Sequence, residues 1–109
     1  MVIVFRSRLR PDADMSALAV MGARMAELAA AMPGFVAYKD FVSEDGENLT
    51  LVHFDSEAHL KAWANEPEHR AGQERARHEF FSEYQIEVCK PVRAYRFTLK
   101  DGRHDMAVG

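Results

Sequence analysis

A chain of 109 residues, 48% hydrophobic and 28% charged, has the length and balance of one globular domain around one core. Its net charge of -3, with acids and bases interspersed, provides no basic run to track phosphates, which excludes nucleic acid as the expected partner and leaves small molecules or other protein chains. The apolar start "MVIVF" is broken by Arg6 and Arg8, short of both a signal-peptide core and the roughly 20 residues of a bilayer span, so no membrane association and a cytoplasmic location are expected.

The first predicted strand is "VIVFRSRL", rich in β-branched and aromatic residues and closed by Pro11. A helix follows, with Asp14 as its cap, Met15, Leu18, Met21, Met25, Leu28 and Met32 at spacings of three and four, and Pro33-Gly34 as its stop. Residues 35–44 and 47–55 read as two strands joined at Asp45-Gly46, where the Asp-Gly pair predicts a type I′ turn. Ser56 then caps a short helix containing Leu60 and Trp63, and Pro67 restarts it as "EHRAGQERARHEFF". The last strand is expected in "YQIEVCKPVRAYRF", with a bulge or break at Pro91. Residues 1–99 form the expected domain, and residues 100–109 lack periodicity and read as a mobile tail. Cys89 is the single cysteine, so no internal disulfide is possible, and it is expected as a small buried strand residue.

The order β-α-β-β-α-β predicts an α+β, ferredoxin-like fold, with a four-stranded antiparallel sheet carrying both helices on one face. Strict alternation sets Ile3, Phe5 and Leu9 against Val2 and Val4, Phe35, Ala37 and Phe41 against Val36, Tyr38 and Val42, and Leu49 and Leu51 against Val52 and Phe54. Both faces are then substantially apolar while helices cover one, which implies a self-complementary sheet-to-sheet homodimer.

Helical phase sorts the charged segment after Pro67. With His69 at zero and about 100° per residue, Gln73 falls near 40°, Arg77 near 80°, Phe80 near 20° and Ala76 near 340°. His69, Gln73 and Phe80 therefore share a face that Phe80 and Ala76 draw inward, while Glu74 and His78 fall on the solvated side. His69 and His78 cannot join on one straight helix, and no HxxxH or HExxH pair exists, so no metal site is expected. Trp63 and His69 flank the helix break and have the character to wall a pocket for a flat ligand, with core packing as the rival role for each. Arg6, Lys39 and His53 interrupt apolar strands and are candidates for its polar groups. No nucleotide-binding glycine loop is present, which argues against nicotinamide or tightly bound flavin.

The "MPGF" turn, the "FDSEAHLKAW" approach and the "PEHRAGQ" continuation together resemble the antibiotic biosynthesis monooxygenase (ABM) family of the dimeric α+β barrel superfamily, over residues 2–97. The resemblance implies a homodimer whose sheets close into a barrel. One branch of that family resembles cofactor-independent oxygenases of aromatic polyketides, in which a deprotonated anthrone or quinol supplies the electron to oxygen. Such chemistry needs a dry aromatic pocket and a group that takes up a proton. Trp63 matches the tryptophan of that pattern, and His69 stands where those enzymes place a polar aromatic residue. Another branch degrades haem, with an asparagine, a tryptophan and a haem-ligating histidine at positions that fall here on Ser7, Trp63 and Gln73; the axial ligand is missing, which disfavours haem. The expectation is thus a monooxygenase without cofactor, acting on a small aromatic or quinol substrate with molecular oxygen. Trp63 would be its wall and His69 its base, with Gln73, Arg77, Phe80, Ser7, His53 and Lys39 in contact with substrate. A non-catalytic dimeric small-molecule-binding or stress-response module is the alternative on the same fold.

Overall fold

The computed structural model describes residues 1–108. Its elements are β1 (Val2–Leu9), α1 (Met15–Ala30), β2 (Phe35–Val42), β3 (Asn48–Phe54), α2 (Glu57–Ala64), α3 (Pro67–Glu79), β4 (Phe81–Cys89), β5 (Ala94–Thr98) and β6 (Gly102–Met106). β1 to β4 form an antiparallel sheet in the order β2-β3-β1-β4, the split βαβ arrangement expected from the sequence. β5 and β6 pair only with each other.

Each helix starts where its capping chemistry lies. The Asp14 carboxylate accepts the Ala17 N–H at 3.0 Å, Ser56 Oγ accepts the His59 N–H at 3.2 Å, and Glu66 Oε2 accepts the His69 N–H at 2.7 Å. Each bond satisfies an amide that the first turn leaves without a partner. Pro67 occupies the first turn of α3, where its missing N–H is harmless, and so separates α2 from α3 at Asn65-Glu66. The α1 C-terminus turns into β2 through Gly34, whose φ of 78° would strain any side chain.

Two local features depart from the strict sequence pattern. A bulge between Phe35 and Ala37 places Phe35 opposite Phe54 and Ala37 opposite His53. Phe35 therefore does not share a face with Ala37 and Phe41; its ring meets that of Phe54 edge-on at 6.0 Å, on the core side with Tyr38. At the hairpin between β2 and β3, Gly46 alone takes a positive φ, of 86°, and its N–H donates to the Ser43 carbonyl at 3.0 Å. The connection is thus a type I turn closed by a left-handed glycine rather than a type I′ turn, because Asp45 keeps a negative φ.

The core lies between the helices and one sheet face. Met1, Ala29, Val52, Phe54, Leu60 and Trp63 form it, with Ile3, Leu28, Met32, Phe35 and Tyr38 packed around. The methionine stripe of α1 is only partly buried: Met25 is inside, whereas Met15 is exposed. Strand pairing continues the core-side face to Phe5, Ser7, Tyr84, Ile86 and Val88, since Ile3 pairs with Val52 and Val88, Phe5 with Ile86, and Ser7 with Tyr84. The last strand begins at Phe81, earlier than its sequence pattern suggests, and ends at Cys89, before Pro91. Cys89 is exposed rather than buried, because it pairs with Val2 and so lies, like Val2's other partner His53, on the sheet face away from the helices, at the end of the edge strand β4.

Candidate active site

The break between α2 and α3 folds α3 back so that His69 lies flat on Trp63. Their ring centroids are 3.7 Å apart with planes 13° from parallel, and Phe54 stacks on Trp63 at 6.4 Å and 28°. Trp63 is 2% exposed and His69 9%. A second bond fixes the imidazole: its Nδ1–H donates to the Trp63 backbone carbonyl at 2.9 Å. That assigns the neutral tautomer in which Nε2 carries the free lone pair. No protein group bonds Nε2, yet no buried side-chain polar atom among the described residues lacks a partner, so Nε2 reaches accessible space.

Burial holds the His69 pKa below its ordinary 6.5; the carbonyl bond to Trp63 and the charge of Glu66 oppose that shift without cancelling it. The ring is therefore a neutral acceptor near neutral pH, held in one orientation. The sign of the linkage follows. Because the folded pKa is depressed, the unfolded chain takes up the proton first as pH falls, so the stability from neutral His69 is complete above pH 6.5 and is lost as pH falls through the folded value. Calorimetric Tm measured from about pH 8 to about pH 5 should decline below that point, and His69→Gln should flatten the decline. His53, whose pKa burial and the N-terminal amine also push down, leaves a residual slope of the same sign. An identical pH profile in the variant would show that His69 is not its source.

The other candidates separate into groups. The buried stripe of α3 runs through His69, Gly72, Ala76 and Phe80, with Ala76 and Phe80 inside, His69 at the edge of the interior and Gly72 half-buried. Gln73 is exposed, contrary to the inward orientation that its phase suggested: burial is centred toward α1, where Met25 packs so tightly on Gly72 that an added Cβ would sit 3.0 Å from its sulfur, and Gln73 falls at the far margin of the stripe. Arg77 lies further out, paired with Glu74 at 2.7 Å, and its carbonyl accepts a bond from Arg10 at 2.7 Å. Phe80 is interior, with the Arg75 guanidinium 5.4 Å from its ring centre. Glu74 and His78 pair with each other in solvent, as their phase predicts.

Ser7 is 5% exposed and occupies the core-side face of the sheet beside Tyr84. It lines a cleft of about 270 Å³ together with Arg6, Glu47, Glu83, Tyr84 and Gln85. A second cleft, of about 300 Å³, opens on the seam of α1 and α3 above Met25 and Gly72, with the Arg24–Glu68 ion pair on its rim. His53 and Lys39 point the other way: they alternate with Val52 and Tyr38 and lie on the face away from the helices, so the structure does not bring them to His69. No group of three or more His, Cys, Asp or Glu among the described residues is arranged to hold a metal ion.

The sequence reading missed two contributors. Phe54 forms the back of the Trp63 stack, and its alternation with His53 already marked it as inward. Tyr84, Ile86 and Val88 extend the core-side face of the sheet past the helices and remain 37%, 43% and 56% exposed. Together with the Phe5, Phe81 and Tyr84 rings, which meet edge-on at 5.4–6.0 Å, they make an apolar shelf open on one side. The period-two pattern of "YQIEV" was the available signal.

Comparison with known proteins agrees with this architecture. The uncharacterized protein YqjZ of Bacillus subtilis (strain 168) is 32% identical over 74 residues, which is 68% of this chain and 65% of that protein, so the match spans less than two thirds of the relative's length. Rv0793 from Mycobacterium tuberculosis superposes with a TM-score of 0.73 at 23% identity, covering 84% of this chain and 93% of that one. SnoaB, a cofactor-independent oxygenase from Streptomyces nogalater, superposes in a mutant form with a TM-score of 0.66 at 16% identity, covering 84% of this chain and 93% of that one. These two likenesses establish the fold. The model of the family described as antibiotic biosynthesis monooxygenase matches residues 1–75, from β1 into α3 and through both Trp63 and His69, and the chain belongs to that family.

Proposed function

We propose that the protein is a cofactor-independent monooxygenase that oxidises a small aromatic or quinol-type substrate with molecular oxygen, working as a homodimer in the cytoplasm. The observation that carries this reading is the neutral His69 ring, clamped by Trp63 through both its face and its Nδ1–H, with a free Nε2 lone pair. A base so placed is pre-oriented and partly desolvated, which favours proton abstraction from an activated C–H or O–H.

For an anthrone, Nε2 takes a proton from the methylene carbon, leaving a delocalised carbanion. One electron passes to dioxygen, the radical pair combines to a peroxide that takes the proton back from the His69 imidazolium, and loss of water leaves the quinone carbonyl. The balance is anthrone plus O2 to anthraquinone plus H2O, with all electrons supplied by the substrate. The shelf of Phe5, Ile86 and Val88 offers a flat apolar wall for such a ring system, and the buried Trp63–Phe54 stack backs the His69 ring. Ser7, Gln73 and Arg77 are the proposed polar contacts, Phe80 supports the wall, and His53 and Lys39 are contacts only if the substrate reaches the far face of the sheet. Haem degradation is the weaker reading, since Gln73, not a usual axial ligand, stands where the ligand is expected.

Binding is tested without turnover. Trp63 is the only tryptophan, so anthraquinone seated against His69, which covers the indole, should quench its emission saturably, half-saturating within the range typical of enzyme substrates, about 1 μM–1 mM. Emission that stays linear and unsaturated to the solubility limit would count against the site.

A further inference from the structure

As a base, His69 has to hold a proton where a cation is disfavoured. The imidazole is largely buried, and it belongs to the first turn of α3, two residues after Pro67, where unpaired amides form the positive end of the helix dipole. Both effects work against the imidazolium that the base becomes once it has accepted a proton. A histidine so placed works as a base near neutral pH only with an anion at hand to offset them.

One carboxylate is placed to supply it. Glu66, half-buried in the turn between α2 and α3, accepts the His69 backbone N–H at 2.7 Å and enters no ion pair among the described residues. The other charges around the ring are engaged or turned away. On α3, Glu68 holds Arg24 of α1 through both carboxylate oxygens, at 2.7 and 2.9 Å, and Arg70 is exposed. Glu27 of α1 also bonds Arg24, at 2.8 Å, and on α2 Lys61 pairs with Glu57 at 3.5 Å in solvent. His53 lies on the sheet face away from the helices. Burial lowers the His69 pKa most strongly, while the Trp63 carbonyl bond and then the Glu66 charge raise it. We propose that Glu66 is a positioning residue for the reaction: its carboxylate anchors the His69 main chain at the helix start and stabilises the imidazolium formed when Nε2 takes the substrate's proton. Its bond is to the backbone, so it acts through His69. This inference rests on the reading of His69 as the base.

Two substitutions separate the cap from the charge. Serine and aspartate are both favoured at a helix start, so Glu66→Ser keeps a cap and loses the charge, whereas Glu66→Asp keeps both. The first readout needs no substrate: NMR titration of the His69 ring in the full chain, its signal assigned by its absence from His69→Gln. The midpoint of Glu66→Ser should lie below that of the wild type, and that of Glu66→Asp close to it. The second readout is the pH profile of kcat/KM for anthrone. Glu66→Ser should lose about two- to fivefold on the high-pH plateau, the scale of a partly exposed charge interaction, and its acid limb should move to lower pH. Glu66→Asp should restore both. Equal midpoints in all three proteins overturn the inference and leave His69 as the base untouched. A lowered midpoint in Glu66→Ser with an unmoved rate profile instead removes His69 from the chemistry, and the catalytic role of Glu66 with it.

Discussion

Replacing Trp63 by alanine should lower stability by about 3–5 kcal/mol, the range for removing a buried aromatic side chain whose cavity cannot fully collapse. Trp63 is 2% exposed and stacked with both Phe54 and His69. Since ~1 kcal/mol shifts Tm by about 4–8 °C in a domain of this size, a fall of more than about 10 °C is expected by calorimetry. Trp63→Phe should lose less, because a ring remains beside the two neighbours. The loss would also free His69: with the indole gone, the imidazole keeps its bond to the residue-63 carbonyl but loses the surface that fixes its plane. A Tm shift of under about 3 °C for Trp63→Ala would mean that the stack does not organise the core.

The second large effect is on activity. His69→Ala removes the proposed base, and loss of a positioned general base lowers rate by about 10²–10⁴-fold. The loss should fall on kcat/KM for anthrone while circular dichroism and subunit association stay as in the wild type. His69→Gln preserves a polar side chain without a base and should be as slow as His69→Ala. Raising pH should partly rescue both variants by supplying substrate already deprotonated, whereas the wild-type rate should be nearly flat above pH 6.5, where His69 is neutral. Equal rates in the wild type and both variants would remove His69 from the mechanism.

The fold was legible because local signals agreed with one another. Asp14, Ser56 and Pro67 marked three helix starts that the structure keeps, and the period-two runs marked the strands of the sheet. What alternation alone missed was the bulge at Val36, which shifts Phe35 to the core side without any glycine or proline inside the strand to announce it. The turn at Asp45-Gly46 was placed correctly and typed wrongly, because Asp-Gly also suits a three-residue connection in which only glycine takes a positive φ. "YRF" read as the end of the fourth strand became a separate strand, since Pro91 removes a ladder donor just after β4 ends.

The site was legible in part. Helical phase brought His69 and Phe80 inward and Glu74 and His78 outward, as found. It misplaced Gln73, because phase gives an angle but not the direction from which a neighbouring helix closes in, and Met25 on Gly72 sets that direction here. The stack of His69 on Trp63 could not be read at all. It depends on the turn at Asn65-Glu66 that reverses α3 over α2, and no pattern in six residues specifies a ring-to-ring distance.

Oxygen stoichiometry tests the central claim most directly. Protein freed of flavin and treated with a chelator should consume one O2 for each anthrone converted to anthraquinone, at a rate unchanged by the chelator and proportional to protein concentration. Uptake no faster than in buffer across a panel of anthrones and quinols, or uptake that returns only when a metal or flavin is added, would contradict it.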